Sequence, residues 1–331
     1  MAPKIDPAIL KALSLDTTTT TIASHGGSGF ASTFKITSKG SNGEEKLFFV
    51  KQGKGRESEI MFAGEHFSLN AIHSVVPSLC PKSYADGKLS DGAGAFLATD
   101  FLNLSARSSS GSGSGLSLAE KLAKLHSIPA PIPDGYDTPM FGFPVPTCCG
   151  DTQQDNSFKS SWAEFYADNR LRGVLKSAER NNGKDSELSN LVERTAEVVV
   201  PRLLRDGHLK AAGGGNIRPV VVHGDLWSGN HGRGTIGNGG LEEVVFDPSS
   251  SYAHSEYEWG IMRMFGGFSG HFEREYHALK AKDDPAEEWN DRVKLYELYH
   301  HLNHYSIFGG GYRAGALTIM LDLLRKHEDE K

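Results

Sequence analysis

Val220–Asn230 reads VVVHGDLWSGN. Three consecutive valines predict a short buried strand. His223 and Gly224 then turn the chain, so Asp225 stands just past the strand tip, and Asn230 follows five residues later. A carboxylate and an amide at that separation suit phosphoryl transfer. The aspartate accepts the proton of an acceptor hydroxyl, and the asparagine helps hold a divalent cation beside the phosphates. A second apolar strand, Val244–Phe246 within GLEEVVFDPSS, ends in another carboxylate, Asp247. Magnesium prefers hard oxygen ligands and is commonly held by one or two carboxylates plus substrate phosphates, so Asp247 is the principal expected ligand and Asn230 the second. Aspartate also starts ordinary turns. The signal therefore lies in the pair and its strand context rather than in either residue alone.

Upstream, the first hundred residues read as short strands and one helix. Strands are predicted at Thr17–Ile22, Ala31–Ser38 and Lys46–Lys51, and a hairpin over Lys82–Thr99. Period-two alternation puts Lys51 on one face with Leu47 and Phe49, with Phe48 and Val50 on the other. A lysine closing an apolar face calls for an anion. A helix over Glu57–His73 carries Glu65 within an apolar stripe of Met61, Leu69 and Ile72, and a carboxylate there calls for a cation. The two are expected to pair, with Lys51 holding the α- and β-phosphates of a nucleotide. Ser24–Ser32, SHGGSGFAS, is a glycine-rich turn between strands. Gly27, Ser28 and Gly29 are its expected phosphate-contacting residues, although Ser32 replaces a third glycine. Asp100 and Leu102, in DFLN, end the strand-rich part and are expected to offer backbone groups to adenine.

Ser105–Ser117 is low in complexity, and helical patterns follow it at Leu116–Ser127, Trp162–Lys176, Ser186–Arg205 and Trp289–Phe308. The fold class expected is α+β: a small β-rich N-terminal lobe over residues 1–102, and a larger, mainly helical lobe over 103–331, with a cleft between them.

The whole chain has 331 residues, 38% hydrophobic and 23% charged, with a net charge of −6. That balance carries no basic footprint for nucleic acid. No stretch approaches the ~18 apolar residues that would span a membrane, and no secretory leader is seen, so a cytoplasmic protein is expected. Cys80, Cys148 and Cys149 give neither a disulfide framework nor zinc-ligand spacing.

The segments HGDLWSGN, FVK (Phe49–Lys51), MFAGEHFSL (Met61–Leu69), FGFPVPTCCGDTQQ (Phe141–Gln154), FDPSSSYAHSEYEWGIMRMFGGF (Phe246–Phe268) and YHHLNHYSIFGGGYR (Tyr299–Arg313) resemble the fructosamine- and ketosamine-3-kinase family, related to the aminoglycoside and choline kinases. The resemblance spans roughly residues 15–325 and implies the two-lobed protein-kinase-like fold, with ATP and Mg2+ as cofactors. It implies transfer of the γ-phosphate to the 3-hydroxyl of a ketoamine, a sugar adduct on a protein or free amine. The 3-phosphate then eliminates and frees the amine, which is deglycation. A ribulosamine preference is expected. Carried over by residue, Asp225 is the general base, Asn230 and Asp247 bind the metal, Lys51 holds phosphates, Glu65 orients Lys51 and His223 braces the loop. Trp227, His254 and Glu256 fall on the acceptor side. The expected partners are glycated amines or glycated proteins, with a monomer favoured. Other small-molecule kinases of the same fold and a pseudokinase scaffold are the rival readings. The LWSGN and HSE contexts argue against the first. The complete set of polar groups argues against the second.

Overall fold

The computed structural model describes residues 4–27, 31–40, 42–104 and 115–328. The predicted Ser28 and Gly29 and most of the low-complexity segment, residues 105–114, lie outside the described residues.

The chain divides into two compact units that do not follow chain order: residues 1–121 with 230–248, and residues 122–229 with 249–331. In the first unit, α1 (Pro7–Leu13) precedes a five-stranded antiparallel sheet. Its strands are β1 (Thr20–Ser24), β2 (Ser32–Lys39), β3 (Glu45–Lys54), β4 (Ser83–Lys88) and β5 (Gly94–Asp100), ordered β1-β2-β3-β5-β4. The sheet buries Ile36, Phe48, Val50, Phe96 and Ala98 in a core shared with Ile9 of α1. The expected alternation on β3 holds, since Phe48 and Val50 are buried while Phe49 and Lys51 are half-buried. The predicted helix is α2, slightly longer than expected at Gly55–Val75, and it packs on β4 and β5.

A linear reading places a boundary near residue 102, but β6 (Leu102–Leu104) pairs with a hairpin more than a hundred residues away, Gly234 standing opposite Leu104. Lys121 explains much of this interleaving. Its ammonium is fully buried and is met by the Ser78 carbonyl at 2.8 Å, the Glu242 carboxylate at 2.7 Å and the Glu243 carbonyl at 2.8 Å. A buried lysine is tolerated only when paired and hydrogen-bonded, so this knot fastens residues 230–248 to the first unit.

α3 (Leu118–Leu125) runs across the division into the helical unit. There the hairpin β7 (Thr147–Cys149) and β8 (Thr152–Gln154) is followed by α4 (Trp162–Phe165), α5 (Gly173–Asn182), α6 (Ser186–Arg194) and α7 (Val200–Leu204). π-helical turns at Tyr166–Arg172 and Thr195–Val199 join α4 to α5 and α6 to α7, so both predicted helical stretches are continuous. β9 (Val220–Val222) is the buried valine strand. In the first unit, β10 (His231–Ile236) and β11 (Leu241–Val245) form the returning hairpin, giving the order β11-β10-β6. β12 (Ser251–Ala253) pairs antiparallel with β9. α8 (Trp259–Phe265), α9 (Gly270–Leu279), α10 (Trp289–Phe308) and α11 (Tyr312–His327) complete the helical unit. Its core is aromatic, with Trp162, Tyr166, Tyr257, Tyr296 and Tyr299 essentially without exposure. Among the described residues, no helix is long and apolar enough to cross a membrane.

Candidate active site

In the first unit, Lys51 projects from β3 and Glu65 from α2, and their charged groups meet. The ammonium lies 2.8 and 2.9 Å from the two Glu65 oxygens, and 2.6 Å from an Asp247 oxygen. Burial works to lower the Lys51 pKa, but the negative charges of Glu65 and Asp247 outweigh it and raise the pKa above its ordinary value. Lys51 is therefore a fixed cation at any physiological pH.

Asp247 sits two residues past β11 with φ +56. This is the left-handed region, which aspartate tolerates better than most residues. Its side chain is 53% exposed, against 13% for Lys51 and 12% for Glu65. Asn230 immediately precedes β10, and its carbonyl accepts the Phe246 N–H at 3.1 Å. His231 opposes Val245 in the ladder, so Asn230 and Asp247 leave the same end of one hairpin. A carboxamide and a carboxylate from one hairpin end are the hard-oxygen donor types that a divalent cation takes.

Other predicted nucleotide contacts fare unevenly. Gly27 is exposed, beside β1. The Asp100 N–H is already donated to the Lys82 carbonyl at 2.9 Å. Its carboxylate takes the Lys82 N–H at 3.0 Å and the Tyr84 hydroxyl at 2.7 Å, so Asp100 works as a structural link. Leu102 stands opposite Ile236 on β6, an edge strand.

In the helical unit, the loop that carries Asp225 leaves β9. Gly224 has φ +81, and a Cβ there would lie 2.1 Å from the Ser249 carbonyl oxygen. Only glycine satisfies both demands. The Asp225 N–H donates to His223 Nδ1 at 3.2 Å, so the buried His223 ring folds under the loop. The Cys149 thiol lies 3.8 Å from Asp225 Oδ1. Burial, with Asp225 adding to it, pushes that thiol well above its usual pKa, so it stays protonated and donates. Trp227 is exposed.

His254 and Glu256 require a correction. Both are buried, at 1% and 4% exposure, and their polar atoms are engaged by the protein itself. His254 bonds Tyr296 and Asp283, each at 2.8 Å. Glu256 receives Arg292 Nε at 2.6 Å and Nη2 at 3.1 Å, and the Asp283 N–H at 2.8 Å. These are bracing contacts, so neither side chain is presented to a sugar. Burial alone would raise the Asp283 carboxyl, but His254 and Lys280 hold it at about 2.

Glu258 was not anticipated. It is 1% exposed and accepts the His223 N–H at 2.6 Å and the Gly224 N–H at 2.9 Å, so one carboxylate grips both residues ahead of Asp225. Burial disfavours its charge, yet His126 and the His223 N–H hold its pKa below the ordinary carboxylate value. The signal was present in the sequence as the second glutamate of HSEYE, but its partners are backbone groups that no side-chain motif reveals.

Comparison with known proteins identifies the family. The sequence pattern of the fructosamine kinase family matches residues 1–326. A Mus musculus ketosamine-3-kinase is 35% identical over 290 residues, covering 83% of this chain and 87% of the relative. A chloroplastic protein-ribulosamine 3-kinase from Oryza sativa subsp. indica is 36% identical over 278 residues, covering 84% and 72%. A crystal structure assigned as a fructosamine-3-kinase, from Haemophilus somnus 129PT, superposes with a TM-score of 0.71 at 22% identity, covering 96% of each chain. The aminoglycoside phosphotransferase APH(4)-Ia superposes at 0.51 with 13% identity, again covering 96% of each chain. The fold is the protein-kinase-like fold of these phosphotransferases, with a β-sheet N-terminal part and a helical C-terminal part. The chain belongs to the fructosamine kinase family.

Proposed function

We propose that the protein is an ATP-dependent ketosamine 3-kinase, which phosphorylates the 3-hydroxyl of ribulosamine or fructosamine adducts and so leads to deglycation. The curated relatives named for ketosamine and ribulosamine 3-kinase activity support the acceptor class. The observation that carries the chemistry is the Lys51–Glu65–Asp247 cluster. A fixed cation pairs with an exposed carboxylate, and the same hairpin end carries Asn230, a set of residue types suited to triphosphate and Mg2+.

Bound ATP and Mg2+ supply the transferable phosphoryl group and neutralise its charge. Asn230 and Asp247 would hold the metal and Lys51 the phosphate oxygens, with Glu65 keeping the Lys51 side chain aimed. Asp225 accepts the proton of the sugar hydroxyl. Its pKa need not be raised, because a loose phosphoryl-transfer transition state draws most of its rate from positioning and charge neutralisation. His223, Cys149 and Glu258 fix where that carboxylate points. Trp227 offers an exposed ring to the sugar. A cytosolic monomer acting on free or protein-bound adducts completes the proposal.

The test is ATP consumption with ribulosyl-lysine, fructosyl-lysine and unglycated lysine side by side. Turnover is expected with the two adducts, faster with the ribulosyl one, and none above background with lysine. Equal rates in all three would refute the reading.

A further inference from the structure

A cavity of about 910 Å3 opens in the helical unit, a size that suits a small organic ligand. Arg218, Pro219 and Val220 line it, so it lies where β9 begins, whereas the loop carrying Asp225 leaves the other end of that strand. No residue given a part in phosphoryl transfer above lines it.

On its floor, charge is matched within the protein. The Asp283 carboxylate accepts the Ala212 N–H at 2.9 Å and meets His254 at 2.8 Å, and the Lys280 ammonium stands 3.8 Å from it. His126 Nδ1 and the Tyr276 hydroxyl share a hydrogen bond of 2.8 Å, and His126 Nε2 lies 3.5 Å from Glu258. The mouth is different. Asp206 and Arg218 both line the cavity and are exposed, and neither side chain is engaged by another among the described residues. Opposite charges that share a cavity without pairing leave a set of acceptors and a set of donors for a ligand. Phe141, Ile217, Pro219 and Val220 add an apolar wall. The lip stays open at Gly214 and Gly215, where φ is +100 and +87 and a Cβ would meet nothing within 4 Å.

A ligand that answers all three features carries a positive charge, a negative charge and a hydrocarbon group. We infer that the cavity binds a zwitterionic α-amino acid with an aliphatic side chain. The ammonium meets Asp206, the carboxylate takes the two-pronged contact that a guanidinium offers at Arg218, and the side chain lies on the apolar wall. A plain phosphate would satisfy Arg218 and face repulsion from Asp206, and a polyamine would do the reverse. The site goes beyond the ketosamine reading and does not depend on it.

Isothermal titration calorimetry of the full chain at pH 7 tests this with three probes: L-leucine, L-leucinamide, which lacks the carboxylate, and 4-methylpentanoate, which lacks the ammonium. L-Leucine is expected to bind at a single site, and each analogue about tenfold more weakly. Arg218→Ala should bring leucine down to the affinity of leucinamide, and Asp206→Asn to that of 4-methylpentanoate. Both residues are exposed, so neither substitution burdens the fold. No saturable binding of millimolar leucine, equal affinity for the three probes, or wild-type leucine affinity in either variant would overturn the site.

Discussion

Two clusters of charged side chains in this molecule are built in opposite ways. Lys51, Glu65 and Asp247 make a cluster with an open member, since Asp247 is 53% exposed while its partners are nearly covered. His254, Glu256, Asp283 and Arg292 make a closed one, with no side chain above 5% exposure. Each cluster obeys the rule that buried charge must be paired. They differ in what the pairing leaves for a ligand. In the closed cluster Arg292 spends donors on Glu256, the Asp283 carbonyl and the Pro285 carbonyl, so its charge is absorbed internally. The open cluster holds a cation next to a carboxylate that reaches solvent. The first pattern secures a fold, and the second suits a metal-bound phosphate.

The contrast is sharpest under substitution. Asp247→Ala is expected to lower turnover about 10³-fold or more, because it removes a ligand to transition-state charge. The protein should still fold, with a stability loss of about 1 kcal/mol because alanine suits the φ of +56 less well than aspartate. Steady-state kinetics beside thermal melting checks this, and near-normal turnover would break the assignment. Glu256→Ala should do the reverse. It strands the fully buried Arg292 and is expected to cost about 3–5 kcal/mol of stability, seen in urea denaturation. The KM for ketosamine should stay within about twofold in the folded enzyme, since Glu256 makes no acceptor contact in this account. A raised KM with unchanged stability would return Glu256 to the acceptor side.

The closed cluster also has a pH signature. The Asp283 carboxyl is held at about 2, below the ~3.9 of an unfolded chain. A depressed carboxylate contributes stability that is present above the unfolded value and is lost as pH falls through the folded one. Asp283→Asn should therefore be less stable than wild type by about 2.5 kcal/mol at pH 7. The gap should narrow below about pH 4, as followed by urea titration at stepped pH. A constant gap down to pH 3 would mean the charge is not what matters.

Glu258 tests the boundary between the two kinds of site, because it is buried like the closed cluster yet grips the residues just ahead of Asp225. Glu258→Gln keeps one acceptor and loses the other. A kcat lower by about tenfold with KM unchanged is expected, as for a residue that positions the base without touching substrate. A KM effect of the same size would contradict this.

Much of the small unit was legible in advance because strand alternation and helix stripes are local signals. Lys51 on β3 and Glu65 on α2 were placed by periodicity and by the cost of unpaired charge. Asp247 and the loop carrying Asp225 were marked by carboxylates following apolar strands. What stayed hidden was tertiary. His254 and Glu256 lie in a motif-rich segment, and motif proximity does not reveal that Arg292, 36 residues beyond Glu256, consumes the carboxylate. Asp100 was expected to offer backbone groups to adenine, and nothing local shows that Lys82 and Tyr84 engage its N–H and carboxylate. The return of residues 230–248 to the first unit depends on Lys121, a lysine indistinguishable by sequence from a solvated one.

The most direct measurement is ribulosyl-lysine-dependent ATP turnover by the Asp225→Asn protein, set beside wild type at matched thermal stability. The account predicts a loss of about 10²–10⁴-fold in kcat with the melting temperature essentially retained. Turnover within a few-fold of wild type in that folded variant would contradict it.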